Sequence, residues 1–353
     1  MSERSEPAEG GAAVLEVENL TVHFRTPRGV VQAVDSASLT VGAGEMLGLV
    51  GESGSGKTVM SRAILGLTPR GAVETVSGSI RYHGRELCGL PEPDLRKVRG
   101  REIAMVFQDP MTALNPVMKI GTQISEPLRQ HLGLSRAQAH RRAVELLDQV
   151  GIPSPSQRAS DYPHHLSGGM RQRVVIAIAL SCEPTVLIAD EPTTALDVTV
   201  QAQILDLLQR LQRERQMAVI LVSHDLEVVG GRADRIAVMY AGRIVEQAPA
   251  DALFAHPRMP YSAALLRSAP RLDLPGHSRL SAIPGRPPSP IDPPPGCRFA
   301  PRCDRAADRC RAEEPVLVAE ALATSVLGRR IGADAATPSH TYRCWYPING
   351  ETG

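Results

Sequence analysis

One octapeptide, Gly51-Glu-Ser-Gly-Ser-Gly-Lys57-Thr58, constrains this chain more than any other stretch. It lies between the apolar run of residues 46–50 and a helix-like stretch that continues through Leu67. Strand, glycine loop and helix in that order are what a phosphate-binding loop requires. Gly51, Gly54 and Gly56 can take backbone conformations denied to larger residues. The successive N–H groups of the loop, those of Ser53 and Ser55 included, can then turn inward around a phosphate. The helix that begins there adds the positive end of its dipole. Lys57 reaches the β- and γ-phosphates, and the Thr58 hydroxyl is placed to bind Mg2+. A chance glycine turn would need neither the flanking strand nor the helix. The stretch reads as a nucleotide site.

A second apolar run, Val186-Leu-Ile-Ala-Asp190-Glu191, ends in two carboxylates. A buried strand delivers Asp190 at its carboxyl end, beside the phosphate loop, where it can hold the Mg2+ shell. Glu191, one residue on, is placed to polarise a water against the γ-phosphate. The competing reading is a strand followed by an acidic helix cap, because Pro192 comes next. A third motif, Leu166-Ser-Gly-Gly-Met170-Arg-Gln, opens a helix that ends near Leu180. Ser167, Gly168 and Gly169 at a helix N-terminus make a second anion cradle, or equally an ordinary serine cap.

Around these motifs the chain alternates. Residues 14–24 and 30–41 read as strands joined by the turn Thr26-Pro-Arg-Gly29, and residues 79–84 as a short strand ending in a turn. Residues 103–107, 185–189, 218–222 and 236–240 are buried-type strands. From about 111 to 180 the pattern is helical, with Ala143, Val144, Leu147 and Val150 on one face. Val200, Ile204, Leu207, Leu208 and Leu211 mark a further amphipathic helix. Such alternation predicts an α/β fold with a mainly parallel sheet and a helical insertion. The expected divisions are a polar tail over 1–13, a nucleotide-binding domain over 14–265, a proline-rich linker over 266–296 and a C-terminal segment over 297–353.

A formal charge of +1 on 353 residues gives no basic field to recruit nucleic acid, and 3% aromatic residues leave few platforms for bases. No apolar run approaches the roughly 18 residues that cross a bilayer. The acidic start is the reverse of a signal peptide. The chain is therefore expected in the cytosol, reaching a membrane only through partners. Lys57 is one of three lysines among abundant arginine, which points to a site that needs a compact ammonium.

Four of the six cysteines crowd the C-terminus. Cys297, Cys303, Cys310 and Cys344 are separated by five, six and thirty-three residues. Four thiolates can hold Zn2+ or a [4Fe–4S] cluster. Structural zinc sites usually contain closely spaced pairs, absent here, so the wider loops favour the cluster, with zinc as the alternative. Arg298, Arg302, Arg305, Arg309 and Arg343 could offset the negative charge of either centre.

With Gln108 after its strand, Ala195-Leu-Asp197, and His224 after Leu221-Val-Ser, six motifs stand in order. Over roughly residues 14–265 the chain resembles the ATP-binding subunits of ABC transporters. That resemblance implies a P-loop NTPase (RecA-like) ABC ATPase domain with an antiparallel β subdomain and a helical subdomain, plus a small cysteine-containing C-terminal extension. It implies ATP and Mg2+ as ligands, with Lys57, Thr58 and Asp190 holding them. It gives Gln108 the role of sensing Mg2+ and the γ-phosphate, Glu191 that of the base, and His224 a bridge to the γ-phosphate. Phe24 sits where the family carries an aromatic that stacks on adenine; the alternative is a core phenylalanine. Ser167, Gly168, Gly169 and Asp197 would complete the ATP site of a second subunit packed head-to-tail, identical or a paralogue.

Four stretches resemble one branch more closely: Phe107-Gln-Asp-Pro-Met-Thr-Ala-Leu-Asn-Pro116, Glu191-Pro-Thr-Thr-Ala-Leu-Asp-Val-Thr-Val-Gln-Ala-Gln203, His256-Pro-Arg-Met-Pro-Tyr261-Ser-Ala-Ala-Leu-Leu, and Gly296-Cys297-Arg-Phe-Ala-Pro-Arg-Cys303. They are similar to oligopeptide/dipeptide-type importers, a group that includes nickel and glutathione branches. The resemblance implies two membrane permease subunits, an extracytoplasmic solute-binding protein and a place on the cytoplasmic face of the membrane. A soluble ABC ATPase acting on DNA or ribosomes is the other class. Against it stand a single ATPase unit and only about 110 residues between Lys57 and Ser167, too few for a long coiled coil.

Overall fold

The computed structural model describes residues 13–69, 73–194, 196–268, 283–320 and 340–348. Nearly all of the tail expected over 1–13, Ala195, and residues 269–282 of the connector lie outside them.

Two long strands come first. β1 (Ala13–Thr26) and β2 (Gly29–Gly42) pair antiparallel, with Thr26 opposite Gly29. The Thr26 hydroxyl donates to the Gly29 carbonyl at 2.7 Å and closes the turn. After β3 (Met46–Val50), β4 (Val73–Tyr82) takes the other edge of β1, and β5 (Arg85–Glu86) pairs with β4. β4 begins well before the strand expected at residue 79. Its first half is mostly exposed, so no burial pattern announced it.

β3 belongs to a second sheet. There β6 (Ile103–Val106), β7 (Val186–Asp190), β8 (Ala218–Ser223) and β9 (Arg235–Tyr240) join it in the order β9-β3-β8-β7-β6, all parallel. These strands read as unbroken apolar runs because both of their faces are covered. Alternation then sorts the side chains. Leu47 and Leu49 enter the core shared with the β1–β2 sheet, whereas Met46 and Val50 enter the core shared with the helices. Beyond β9 the edge turns antiparallel through β10 (Arg243–Pro249), β11 (Val318–Glu320) and β12 (His340–Tyr342), in the order β9-β10-β12-β11.

The helical insertion holds helices Ile120–Leu132, Arg136–Gln149 and Gly168–Ala179 with shorter turns between them. Gly133 in the left-handed region ends the first. A reciprocal capping box between Ser135 and Gln138 opens the second. Of the expected stripe, Ala143, Leu147 and Val150 are buried and Val144 is only partly so, while Ala139 and Leu146 join the buried face. The face is this broad because the helix packs against both neighbouring helices at once. Among the described residues no helix is long and apolar enough to cross a membrane.

The C-terminal segment packs on the antiparallel edge. Phe299 meets Tyr240 and Tyr261, each at 5.3 Å between ring centroids. Glu246 on β10, fully buried, ties the segment down. Its carboxylate accepts the N–H groups of Arg258 at 2.6 Å and Met259 at 3.1 Å, and its Oε1 lies 2.6 Å from Nε2 of the buried His340 on β12. Glu246→Ala leaves three buried or half-buried donors without an acceptor, a cost of about 3 kcal/mol. The variant should melt several degrees lower and be clipped near residue 340 in limited proteolysis; an unchanged melting temperature would contradict this account.

Candidate active site

Gly51 follows β3 directly, and a Cβ there would lie 2.1 Å from the Met239 carbonyl of β9. Gly56 has φ +109, and a Cβ on it would lie 2.3 Å from the Ala33 carbonyl of β2. The loop is therefore wedged between two sheets, and only glycine fits at either end. Gly54, Ser53 and Ser55 lie between them on the cavity wall. Helix Lys57–Ile64 starts at Gly56 with no side-chain cap, so its first N–H groups remain open to an anion. Buried Lys57 folds its Nζ back onto the carbonyls of Gly51 at 2.7 Å and Glu52 at 2.9 Å. Burial pulls the ammonium below the usual lysine range, against the opposing pull of Glu191, Asp190 and Glu52.

Asp190 is buried at the end of β7. Thr58 Oγ1 donates to its Oδ1 at 3.1 Å, and its Oδ2 has no hydrogen-bond partner. Burial raises this carboxyl above the ordinary aspartate range, and the Glu191 charge adds to the effect, while Thr58 opposes it. An orphaned buried carboxylate oxygen beside a hydroxyl is a hard oxygen site, and Mg2+ fits it.

Glu191 stands in the left-handed region at φ 47, its N–H on the Val222 carbonyl of β8 at 3.0 Å. A glutamate held there is backbone strain stored beside the phosphate loop. Its Oε2 accepts from Gln108 Nε2 at 3.0 Å and from Thr194 Oγ1 at 3.0 Å, and His224 Nδ1 lies 3.3 Å away. Gln108, Glu191 and His224 follow β6, β7 and β8, so three neighbouring strands aim three side chains at one point. Thr194 escaped the sequence reading. Its only signal was its place inside the Glu191-Pro-Thr-Thr stretch.

Lys57, Thr58, Gln108 and Glu191 border a cavity of about 240 Å³, with Asp190, Thr194 and His224 behind them through their contacts with Thr58 and Glu191. Its far wall is Val31, Gln32 and Ala33 of β2 together with Pro287, Pro288 and Pro290. Gln32 N–H donates to the Pro290 carbonyl at 2.8 Å, which pins that strap in place. A proline-dense stretch carries no signal of what it covers, so its presence here was not legible. Phe24 is not in the wall. It pairs with Val31 across the β1–β2 ladder and is packed, partly buried, against the core.

Ser167, Gly168 and Gly169 also lie away from the cavity. Ser167, exposed, caps its helix by accepting the Met170 N–H at 3.4 Å, and Gly169 abuts Val200 of helix Val198–Arg215. Asp197, likewise exposed, caps that helix through the Val200 N–H at 2.9 Å. Within one chain both motifs are helix caps on the surface.

Cys297, Cys303, Cys310 and Cys344 line one small cavity, of about 10 Å³. Burial raises the thiols of Cys297 and Cys303 above the usual cysteine range and pushes Cys344 up to about 12. Backbone N–H groups of Phe299 and Ala300 oppose this at Cys297, as those of Arg305 and Tyr346 do at Cys303 and Cys344. Yet among the described residues no three or more His, Cys, Asp or Glu side chains are arranged to hold a metal ion. The thiols share a cavity, but not the geometry of a ligand set. The surrounding arginines also differ from expectation. Arg298 pairs with Asp35, Arg302 with Glu52, Arg343 Nε with the Ile244 carbonyl at 3.1 Å, and Arg309 lies over the Trp345 ring at 3.5 Å. Of the five, Arg305 lines the cysteine cavity, while Arg298, Arg302, Arg309 and Arg343 adjoin its cysteines in sequence without lining it.

Comparison with known proteins agrees with this geometry. Residues 34–194 match the ABC transporter family, and residues 245–310 match the oligopeptide/dipeptide transporter C-terminal region. The dipeptide transport ATP-binding protein DppD of Bacillus subtilis is 47% identical over 332 residues, 94% of each chain. The oligopeptide transport ATP-binding protein OppD of Haemophilus influenzae is 51% identical over 298 residues, 84% of this chain and 91% of that one. A dimeric ATP-binding cassette solved in a post-hydrolysis state with ADP and Pi superposes with a TM-score of 0.60 at 28% identity, over 67% of this chain and 98% of that one. A wedged phosphate loop, two carboxylates at the end of β7 and the matching C-terminal region thus identify the chain as an ATP-binding subunit of the ABC transporter family, in its oligopeptide/dipeptide branch.

Proposed function

We propose that this chain hydrolyses MgATP to power import of oligopeptides or dipeptides through a membrane complex. The observation that carries the reading is the convergence of Lys57, Thr58, Asp190 and Glu191 on the carboxyl edge of one parallel sheet. Lys57 would leave its two carbonyl partners for the β- and γ-phosphates. Thr58 Oγ1 and Asp190 Oδ2 would hold Mg2+, which supplies charge neutralisation on the phosphates. Glu191 takes the proton of the attacking water, and Gln108, Thr194 and His224 fix the direction of its carboxylate. The relatives named for dipeptide and oligopeptide transport favour peptide over nickel or glutathione as cargo.

Ser167, Gly168 and Asp197, exposed, and Gly169 beside them have no nucleotide within their own chain to act on, which supports a head-to-tail second subunit. The helical insertion, with Glu126 exposed, would receive a short cytosolic helix of a membrane subunit, in a complex of two permease subunits served by an extracytoplasmic solute-binding protein. That assembly puts the chain on the cytoplasmic face of the membrane. At the cysteines the donor chemistry suits a thiolate-ligated centre, since N–H groups already point at three of the sulfurs. The cavity as it stands is too small for a cluster, so holding [4Fe–4S] requires the thiols to move apart; Zn2+ remains the smaller alternative.

Glu191→Gln should bind MgATP and lower turnover at least about a hundredfold, the scale of a lost general base. Lys57→Ala should instead lose ATP binding. Wild-type turnover in the first variant, measured in the assembled complex, would refute the role given to Glu191.

Burial of Asp190 also costs stability when no nucleotide is bound. Asp190 is raised above its unfolded value, so above that value its ionised form destabilises the nucleotide-free chain, and the penalty disappears as pH falls. Asp190→Asn should therefore melt about 1–3 °C higher without nucleotide, and gain nothing from MgATP. A lower melting temperature for the nucleotide-free variant would contradict this.

Anaerobically purified chain should be brown, with about four irons and four sulfides per chain. Colourless protein with stoichiometric zinc, or with no metal, would end the cluster reading.

A further inference from the structure

Glu52, the second residue of the phosphate loop, is gripped from three sides. Its N–H donates to Tyr261 Oη at 2.9 Å, and its carbonyl accepts Lys57 Nζ at 2.9 Å. Its carboxylate accepts two guanidinium nitrogens of Arg302, Nη1 at 2.6 Å and Nη2 at 2.9 Å. Arg302 comes from the cysteine-bearing segment, 250 residues further along the chain, and its side chain is only 3% exposed. Its other donations fix the fork in place. Nε goes to the Pro284 carbonyl at 2.8 Å, Nη2 to that of Ile283 at 3.3 Å, and Nη1 to Tyr240 Oη at 3.3 Å. A bidentate fork with its remaining donors engaged is rigid, and lysine could not reproduce it.

The position of the pair gives it a consequence. Glu52 lines the cavity that receives the phosphates, and Lys57 rests on its carbonyl. A carboxylate left unpaired there would repel a polyphosphate across a short, partly dry gap, where like charges interact strongly. The contact therefore concerns charge at the nucleotide as well as attachment of the C-terminal segment.

We propose that Arg302 is a positioning residue of the nucleotide site, holding and neutralising Glu52 so that ATP affinity depends on the C-terminal cysteine segment. The proposal rests on ATP binding at the phosphate loop and requires no metal at the cysteines.

A charge role and a purely structural role differ in sign. With the full chain titrated by a fluorescent ATP analogue in Mg2+, Arg302→Met should weaken binding about tenfold or more, because the Glu52 charge is released. Glu52→Gln breaks the same pair but leaves a cation near the phosphates, so its affinity should equal or exceed that of the wild type. The double variant, a neutral pair of similar size, should return to within about threefold of wild type. In the assembled complex the Arg302→Met effect should fall on KM for ATP, with kcat within about threefold. Equal weakening in both single variants, no recovery in the double variant, or wild-type affinity in Arg302→Met would each overturn the proposal. If Arg302→Met does not fold, Glu52→Gln decides alone: loss of affinity there sinks the idea, and retained or tighter binding supports it. Loss of ATP binding in Lys57→Ala tests the nucleotide site itself, so failure of that reading is separable from failure of this one.

Discussion

The structure depends on one packing constraint, the wedging of the phosphate loop between two sheets. Gly51 lies against the Met239 carbonyl and Gly56 against the Ala33 carbonyl, so the loop fits only if the β1–β2 sheet and the parallel sheet are both in place. That fixes the distance between the layers, which the two faces of β3 then fill with Leu47 and Leu49 on one side and Met46 and Val50 on the other. The candidate site groups are placed by the same frame. In a parallel sheet the carboxyl ends of adjacent strands lie in a row, so Gln108, Glu191 and His224 meet although they are far apart in sequence.

Charge at this edge is arranged for a ligand rather than for the empty chain. Lys57 is buried and turned onto two carbonyls, Asp190 keeps a buried oxygen without a partner, and Glu191 holds a left-handed backbone. Each of these opposes folding slightly, and under the proposed function each would be relieved or used by polyphosphate and Mg2+. Binding sites are where such local costs persist, because the surrounding core over-determines them.

The C-terminal segment extends this frame instead of standing apart from it. β12 continues the main sheet, Phe299 completes an aromatic cluster with Tyr240 and Tyr261, and the proline strap forms part of the nucleotide wall. A segment of this size cannot bury a core of its own, so it borrows one. In doing so it brings Arg302 to the phosphate loop and four thiols to one cavity.

The phosphate loop and the paired carboxylates beside it were legible in the residues. Phosphate loops, paired carboxylates and apolar runs are local patterns, since each reports what its own strand or turn must do. The parallel strands and the nucleotide site followed from them. The wall of the cavity was not legible. Phe24, an aromatic on an early strand, packs partly buried against the core opposite Val31, while Pro287, Pro288 and Pro290 from an apparently structureless connector line the space. The arginines near the cysteines likewise looked like counter-charges for a metal, yet Arg298 and Arg302 pair with Asp35 and Glu52. Sequence determined which groups can bind phosphate and which strands must be buried, because those depend on neighbours within a few residues. Only the tertiary structure decided which distant side chains complete the site, because such contacts depend on how the chain returns through space.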